Sequence, residues 1–196
     1  MMRIITGKAR GVRLATLEGE NTRPTAERAK EAVFSALQFE IAHKQVLDLF
    51  AGSGQMGLEA LSRGADHAVL CDRSKEAVEI IRTNAKKTRL EELCTVYCTD
   101  YQAFLSRLQK NSGFDLVFLD PPYALGAIPT ALRLLIQAGA LKAGAKLVCE
   151  AGDPAHVFGN DQALASHFEI LRQSKYGAAY VTILQYNQEN NTTGED

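Results

Sequence analysis

The sequence predicts an α/β fold with a mostly parallel, doubly wound sheet of seven strands. Two features predict it. From residue 45 onward, short apolar runs alternate with amphipathic stretches of helical length, which is the pattern of successive βαβ units. The last two apolar runs leave no room for a helix between them, so they should form an antiparallel hairpin at one edge of the sheet.

The elements are expected in a definite order along the chain. Strands are predicted at 46–50, 68–71, 94–98, 116–119, 147–149, 168–174 and 180–186, and helices at 57–63, 74–89, 101–109 and 128–138. Ahead of them, residues 3–17 alternate weakly around two glycines and predict a small β-hairpin. Residues 25–39 predict an amphipathic helix capped by Thr25.

The length of 196 residues suits one domain with a sizeable core. We expect a single domain over 1–196, with an amino-terminal extension (1–40), a doubly wound core (41–186) and a polar, disordered tail (187–196). The sequence has no signal-peptide pattern and no apolar run long enough to span a bilayer. A cytoplasmic protein without a membrane partner is therefore expected, and nothing in the sequence requires more than a monomer.

The charge of the chain is unevenly distributed. The formal net charge is -1, but residues 1–30 hold seven Lys and Arg against three Glu. A basic segment on an otherwise acidic body favours contact with phosphates, although a solvated surface would give the same count. The candidate phosphate-binding residues are Arg3, Lys8, Arg10, Arg13, Arg23 and Arg28.

The four cysteines predict neither a disulfide framework nor a metal site. Each lies in an apolar, strand-like run, and no histidine cluster accompanies them. We expect buried, reduced thiols and no bound metal.

A glycine-rich loop follows the first predicted strand. Gly52, Gly54 and Gly57 form the pattern G-x-G-x-x-G between a strand and a helix, which favours close approach of the backbone to a ligand. The pattern alone does not separate NAD from other adenosine cofactors. Asp48 precedes Gly52 by four residues, within the strand, and a carboxylate there suits the ammonium group of S-adenosylmethionine.

Acidic residues end the second and third predicted strands. Asp72 lies twenty residues after Gly52, where it could bind both ribose hydroxyls of a cofactor or cap the following helix. Asp100 could receive an adenine amine, but it could equally cap the next helix.

The sequence Asp120-Pro121-Pro122-Tyr123 follows the fourth predicted strand. The lone pair of an exocyclic base amine is delocalised into the ring, so two acceptors aimed at its N–H bonds would prepare it for attack. The Asp120 carboxylate and the Pro121 carbonyl can be those acceptors, since a proline holds the residue before it extended. Tyr123 can stack on the base. An ordinary strand end with an exposed carboxylate is the alternative, but the ordered set of acids and glycines indicates a methyltransferase.

The motifs resemble those of the RsmD family of small bacterial rRNA methyltransferases, within the Rossmann-like class I fold that uses S-adenosylmethionine. The most specific part of the resemblance is amino-terminal: residues 3–7, 10–11, 14, 22–25, 28, 31 and 34 match the family signature. Residues 48–59, 120–123 and 175–177 match at the expected distances. The resemblance covers almost the whole chain.

The resemblance implies methylation of the 2-amino group of guanine-966 in 16S rRNA, on the small ribosomal subunit or an assembly intermediate. Asp120, Pro121, Pro122 and Tyr123 would be catalytic. The cofactor-binding residues would be Thr25, Asp48, Phe50, Gly52, Gly54, Asp72, Arg73, Asp100 and Tyr101.

Several other functions remain open from the residues alone. A DNA adenine methyltransferase would use the same Asp120 turn, but such enzymes usually carry a further target-recognition domain. A non-catalytic S-adenosylmethionine-binding RNA module would not need the intact turn. A protein glutamine methyltransferase would call for Asn at position 120, and a nicotinamide oxidoreductase would leave Asp48 unexplained.

Overall fold

The computed structural model describes residues 2–17, 24–108, 113–122 and 126–188. Its centre is one seven-stranded sheet with the strand order β3-β2-β1-β4-β5-β7-β6. The strands are β1 (Gln45–Asp48), β2 (His67–Asp72), β3 (Cys94–Cys98), β4 (Phe114–Leu119), β5 (Leu141–Ala151), β6 (Phe168–Tyr176) and β7 (Ala179–Tyr186). The α/β fold class predicted from the sequence is confirmed.

Strands β1 to β5 pair in parallel, whereas β7 runs antiparallel to both β5 and β6. The predicted edge hairpin is therefore present, with β6 outermost. The β5 strand begins six residues earlier than predicted, because its first half, with Lys142, Gly144 and Lys146, lacks the apolar run that marks its second half.

Six α-helices surround the sheet within the described residues: α1 (Pro24–Ala36), α2 (Gln55–Ser62), α3 (Lys75–Thr88), α4 (Tyr101–Ser106), α5 (Ile128–Gln137) and α6 (Gln162–Ser166). The α1 to α3 helices contribute to one apolar cluster and α4 to α6 to another, on opposite faces of the sheet. The short α6 helix was not predicted. None of the helices in the described ranges is long and apolar enough to cross a membrane.

Two local predictions need correction. Thr25 does not cap the first helix, because α1 already begins at Pro24, whose fixed φ suits the first helical position. The side chain of Thr25 lies outside the described part of the chain. Cys98 is exposed rather than buried, since it ends the edge strand β3.

The predicted amino-terminal hairpin is present in reduced form. A single antiparallel bridge joins Arg3 and Arg13, and flanking backbone hydrogen bonds join Ile4 N–H to the Val12 carbonyl (3.0 Å) and Leu14 N–H to the Met2 carbonyl (3.0 Å). The predicted tail from 189 onward lies outside the described residues.

Candidate active site

A large cavity of about 460 Å³ opens at the carboxyl ends of the parallel strands. Ligands bind at this edge in doubly wound folds, because the loops that follow the strands converge there. The lining residues in the described structure are Leu17, Leu49, Phe50, Gly52, Asp72, Arg73, Thr99, Asp100, Tyr101, Asp120, Pro121 and Pro122. Most of the residues predicted for cofactor binding and catalysis are thus brought to one place.

The two first glycines of the loop have different roles. Both have positive φ, 52° at Gly52 and 78° at Gly54. Gly52 lines the large cavity, whereas Gly54 does not. A Cβ on Gly54 would lie 3.2 Å from a Leu70 methyl, and one on Gly57 would lie 2.9 Å from it, so these two glycines allow α2 to pack closely on β2.

The Asp72 carboxylate organises the loops on either side of it. One oxygen accepts the Gly52 N–H at 2.9 Å and the other accepts the Ser74 N–H at 2.8 Å. The cap of α3 is Ser74, whose hydroxyl accepts the Ala77 N–H. A carboxylate can accept about four hydrogen bonds. Asp72 therefore keeps acceptor capacity toward the large cavity while it fixes the glycine loop.

Asp48 lies beneath the glycine loop rather than in the cavity wall. Its side chain is buried and accepts the Gly57 N–H at 3.1 Å. Burial is the main reason that the pKa of Asp48 rises to about 7; the charge of Asp72 adds to the rise, while the Gly57 hydrogen bond and the charge of Lys30 oppose it. Asp48 is not among the residues that line the large cavity, so its predicted contact with the ammonium group of S-adenosylmethionine stays a prediction.

Two aromatic rings flank the far end of the large cavity. The centroids of Phe50 and Tyr101 are 5.1 Å apart, with a tilted geometry. Asp100 stands beside them, and it caps α4 by accepting the Gln102 N–H at 2.8 Å. Arg73 also lines this part of the wall. A flat, partly apolar ring with a hydrogen-bonding edge fits these groups.

A second cavity, of about 20 Å³ and so with room for about one water molecule, lies on the α1 side of Asp120, and we call it the side cavity. Its described lining residues are Ala29, Lys30, Val33, Met56, Phe118, Leu119, Asp120, Val148, Glu150 and Val181. Among the described residues, Asp120 is the one that lines both cavities. Tyr123 lies outside the described residues, so its stacking role stays a prediction.

Three buried polar side chains hold the amino-terminal segment against the core, and none of them was predicted. Glu59 accepts the backbone N–H of Ile5, and the Ser62 hydroxyl accepts that of Ala9 (3.0 Å). Asn84 accepts the Ala15 N–H at 2.7 Å and donates to the Ser53 carbonyl at 2.9 Å. One sequence feature could have identified them: each is a polar residue at a position of an amphipathic helix that faces the core.

The basic residues predicted to bind phosphates are exposed, as far as they fall within the described part of the chain. The exposed ones are Arg3, Lys8, Arg10, Arg13 and Arg28, while Arg23 lies outside the described residues. Hydrogen bonds from α2 and α3 hold the segment of residues 2–17 in place, and Leu17 at its end lines the large cavity.

The residues of the large cavity fit S-adenosylmethionine. Asp72 retains acceptors for a diol, the backbone of Gly52 allows close approach, and the aromatic pair suits adenine. Among the described residues, no group of three or more His, Cys, Asp or Glu is placed to hold a metal ion.

Comparisons with known proteins agree with this architecture. The family model described as "Conserved hypothetical protein 95" matches residues 2–185. The chain is 36% identical over 158 residues to the "Ribosomal RNA small subunit methyltransferase D" of Haemophilus influenzae, covering 76% of this chain and 78% of that protein. It is 35% identical over 150 residues to YlbH of Bacillus subtilis, covering 76% of this chain and 82% of that protein.

A solved structure of the Escherichia coli protein yhhF superposes with a TM-score of 0.81 at 28% identity, covering 95% of this chain and 98% of that one. The shared fold, the matched family model and the ordered acids and glycines at one sheet edge lead to one conclusion. The chain belongs to the RsmD family of class I S-adenosylmethionine-dependent methyltransferases.

Proposed function

We propose that this protein transfers a methyl group from S-adenosylmethionine to the 2-amino group of a guanine in 16S rRNA, guanine-966 of the small ribosomal subunit. The observation that carries the proposal is the position of Asp120, Pro121 and Pro122 in the wall of the large cavity that Asp72 and Asp100 also line. A methyl donor bound in this cavity would lie beside the carboxylate that receives the amine. The name of the Haemophilus influenzae relative supports ribosomal RNA as the substrate class.

The cofactor supplies a methyl group that is already activated for displacement, so the protein acts mainly by positioning. Asp72 binds the ribose hydroxyls, and Asp100 with Tyr101 binds the adenine, together with Phe50 and Arg73. Gly52 and Gly54 shape the loop for the methionine part. Asp48, beneath the loop, supports it electrostatically, and Thr25 closes over the site at the start of α1.

The Asp120 turn prepares the amine. The carboxylate and the Pro121 carbonyl accept its two N–H bonds and stabilise positive charge as it develops on nitrogen. Pro121 and Pro122 hold both acceptors extended. Tyr123 stacks on the base. After transfer the nitrogen is strongly acidic, so Asp120 or water accepts the proton.

The amino-terminal extension positions the RNA. Arg3, Lys8, Arg10, Arg13, Arg23 and Arg28 contact phosphates, and a base splayed from an unpaired stretch enters beside Asp120. In this arrangement residues 1–40 form the extension and 41–186 the catalytic core of a single domain. The protein acts as a monomer on 16S rRNA within the small subunit or an assembly intermediate.

The decisive assay supplies labelled S-adenosylmethionine with three substrates: small subunits that lack the modification, protein-free 16S rRNA, and duplex DNA. The expected product is 2-methylguanine in 16S rRNA, identified by mass. Label in the 6-amino group of adenine in duplex DNA would overturn the proposal. The protein would then be a DNA adenine methyltransferase, which the Asp120 turn also permits.

The Asp120→Ala variant tests the catalytic carboxylate. Turnover is expected to fall by a factor on the order of 10² or more. The amine loses a hydrogen-bond acceptor, and the positive charge that develops on its nitrogen loses the carboxylate that stabilises it. Cofactor affinity, measured by calorimetry, should stay within about twofold. Asp66→Asn removes an exposed carboxylate just before β2, far from this edge, and is the control. Near-normal turnover in Asp120→Ala would exclude this role.

A further inference from the structure

We propose that Leu17, at the end of the amino-terminal segment, is a cofactor-binding residue, and that Asn84 of α3 is the residue that positions it. Leu17 would pack against S-adenosylmethionine bound in the large cavity, and Asn84 would hold the backbone that carries Leu17. The inference concerns binding of the cofactor, so it does not depend on which nucleotide is methylated.

Leu17 differs in origin from the other described residues that line the large cavity. Those residues lie at or just after the carboxyl ends of β1, β2, β3 and β4. Leu17 instead precedes α1 and ends the segment that is hydrogen-bonded to α2 and α3. Its side chain is apolar and half-buried. It therefore adds to the cavity an apolar wall that does not come from the sheet edge and that can pack against the apolar part of a ligand.

Asn84 fixes the backbone two residues before Leu17. Its side chain is fully buried, its carbonyl oxygen accepts the Ala15 N–H at 2.7 Å, and its amide nitrogen donates to the Ala15 carbonyl at 3.0 Å. An amide nitrogen carries two hydrogens, and the same nitrogen also donates to the Ser53 carbonyl at 2.9 Å. One side chain thus satisfies both backbone polar groups of Ala15 and bonds to the glycine loop.

A second contact joins the segment to the same loop residue. The Ser53 hydroxyl donates to the Met2 sulfur at 2.9 Å, and both side chains are buried. Ser53 follows Gly52, which lines the large cavity. Two residues of chain span at most about 7 Å, so fixing Ala15 beside Ser53 also keeps Leu17 close to the glycine loop.

Calorimetry with S-adenosylmethionine tests the contact of Leu17. Leu17→Ala should raise the Kd of the cofactor by about fivefold or more, because less apolar surface is buried on binding. For the same reason the heat-capacity change of binding should become less negative. Leu17→Met keeps an apolar side chain of similar volume and should restore the affinity to within about twofold of the wild type.

Leu171→Ala is the matched control for this truncation. Leu171 is a partly exposed leucine of the edge strand β6, and it is not among the residues that line the large cavity. Its replacement should leave the Kd of the cofactor within about twofold of the wild type.

Amide hydrogen exchange tests the position of the segment in the wild-type protein. The Ala15 N–H is bonded to Asn84, whereas the Ile4 N–H is bonded to the Val12 carbonyl within the segment itself. Cofactor that packs on Leu17 should slow exchange of the Ala15 amide by about tenfold or more beyond any slowing at Ile4. A general stabilisation of the fold would slow both amides equally.

Asn84→Asp tests the positioning residue, because the carboxyl group keeps an acceptor for Ala15 but loses the two amide hydrogens. The Kd of the cofactor should rise by about fivefold or more, and the factor should be smaller when position 17 is already Ala. Thr88→Val is the control: its buried hydroxyl, one turn further along α3, donates to carbonyls of α3 alone. This variant should bind the cofactor as the wild type does, even if its stability falls.

Each part of the inference can fail separately. Wild-type cofactor affinity in Leu17→Ala, or equal slowing of exchange at Ala15 and Ile4, would overturn the role of Leu17. Folded Asn84→Asp with wild-type affinity, or with the same effect whether or not Leu17 is present, would overturn the role of Asn84. Should Asn84→Asp fail to fold, exchange of the Ala15 amide in the wild type decides alone. These measurements contain no RNA, so their failure leaves the proposed methylation of guanine standing.

Discussion

The Glu59 carboxylate accepts the backbone N–H of Ile5 at 2.6 Å, although the two residues are 54 positions apart in the chain. The same carboxylate accepts the Thr6 N–H at 3.1 Å and pairs with Arg63 at 2.6 Å. Glu59 is fully buried on α2, the helix that begins at the glycine loop. The α2 helix therefore connects the two: Glu59 binds the basic amino-terminal segment, and the first turn of the helix follows directly from the glycine loop.

Replacing Glu59 by Ala should destabilise the protein strongly. The substitution leaves two backbone N–H groups and the largely buried Arg63 without their acceptor, so the free energy of unfolding should fall by about 3 kcal/mol. Urea unfolding measures this change. Glu79→Ala breaks an exposed pair with Arg82 on α3 and should cost about 0.5 kcal/mol or less. Equal effects of the two substitutions would contradict the structural role of Glu59.

Gly7 and Gly11 offer a matched pair of substitutions for the attachment of the basic segment. Both have positive φ, 90° and 82°, so Ala at either position costs about 1 kcal/mol of backbone strain. A Cβ on Gly7 would lie 1.8 Å from the Ser62 carbonyl oxygen, whereas one on Gly11 would meet nothing within 4 Å. Gly7→Ala should therefore displace the segment from α2 and weaken RNA binding by about tenfold or more.

Gly11→Ala should leave RNA affinity within about twofold of the wild type. Filter binding with a 16S rRNA fragment compares the two variants at one salt concentration. If both bind RNA as well as the wild type, the attachment of the segment to α2 has no bearing on RNA affinity.

Asp48 should make stability depend on pH in an unusual direction. Mainly through burial, its pKa rises from 3.8 to about 7 in the folded protein. The folded state therefore holds a proton that the unfolded chain releases above about pH 4. The stabilising contribution of this group is complete below that pH and is lost as the pH rises through about 7.

The cofactor-free wild type and Asp48→Asn can be compared by urea unfolding between pH 4 and 8. The variant should gain stability relative to the wild type as the pH rises, by about 2–4 kcal/mol across the range. Asp115 provides the opposite control: burial acts to raise its pKa, but hydrogen bonds from Lys142 and the Gln45 N–H, with nearby lysine charges, lower it. Asp115→Asn should lose stability relative to the wild type at higher pH. If the difference in stability between Asp48→Asn and the wild type does not change with pH, the raised pKa of Asp48 is refuted.

RNA affinity should fall with added salt, because lysine and arginine contacts release counterions from phosphates. Arg3→Ala, Arg10→Ala and Arg13→Ala should each weaken binding and reduce the slope of log affinity against log salt by about one. Lys142→Ala removes a charge paired with Asp115 at the opposite edge of the sheet and should leave the slope unchanged. An affinity independent of salt would rule out phosphate contacts by this segment.

The elements of the fold could be predicted where the sequence pattern is periodic. The β3 strand has the predicted bounds, Cys94–Cys98, because charged residues precede its β-rich run and Thr99 and the helix-capping Asp100 follow it. The α6 helix could not be predicted, since five residues are too few to show a helical repeat. The first half of β5 was missed because its partner, β4, is irregular there and the strand pairs despite a polar sequence.

The acids of the site were predictable for a different reason. Asp72, Asp100 and Asp120 each follow an apolar run, and the carboxyl ends of parallel strands must meet at one edge. Glu59 and Asn84 were not found because their partners are backbone groups far away in the chain, which no local pattern discloses.

The Asn84 side chain joins Ala15 of the amino-terminal segment to the Ser53 carbonyl of the glycine loop. One side-chain amide thus contacts both the segment that we propose binds RNA and the glycine loop that we propose binds the cofactor. If either ligand tightens this junction, the two binding equilibria share a coupling free energy, and thermodynamics requires the coupling to be reciprocal. The factor by which cofactor raises RNA affinity must then equal the factor by which RNA raises cofactor affinity, whichever ligand arrives first.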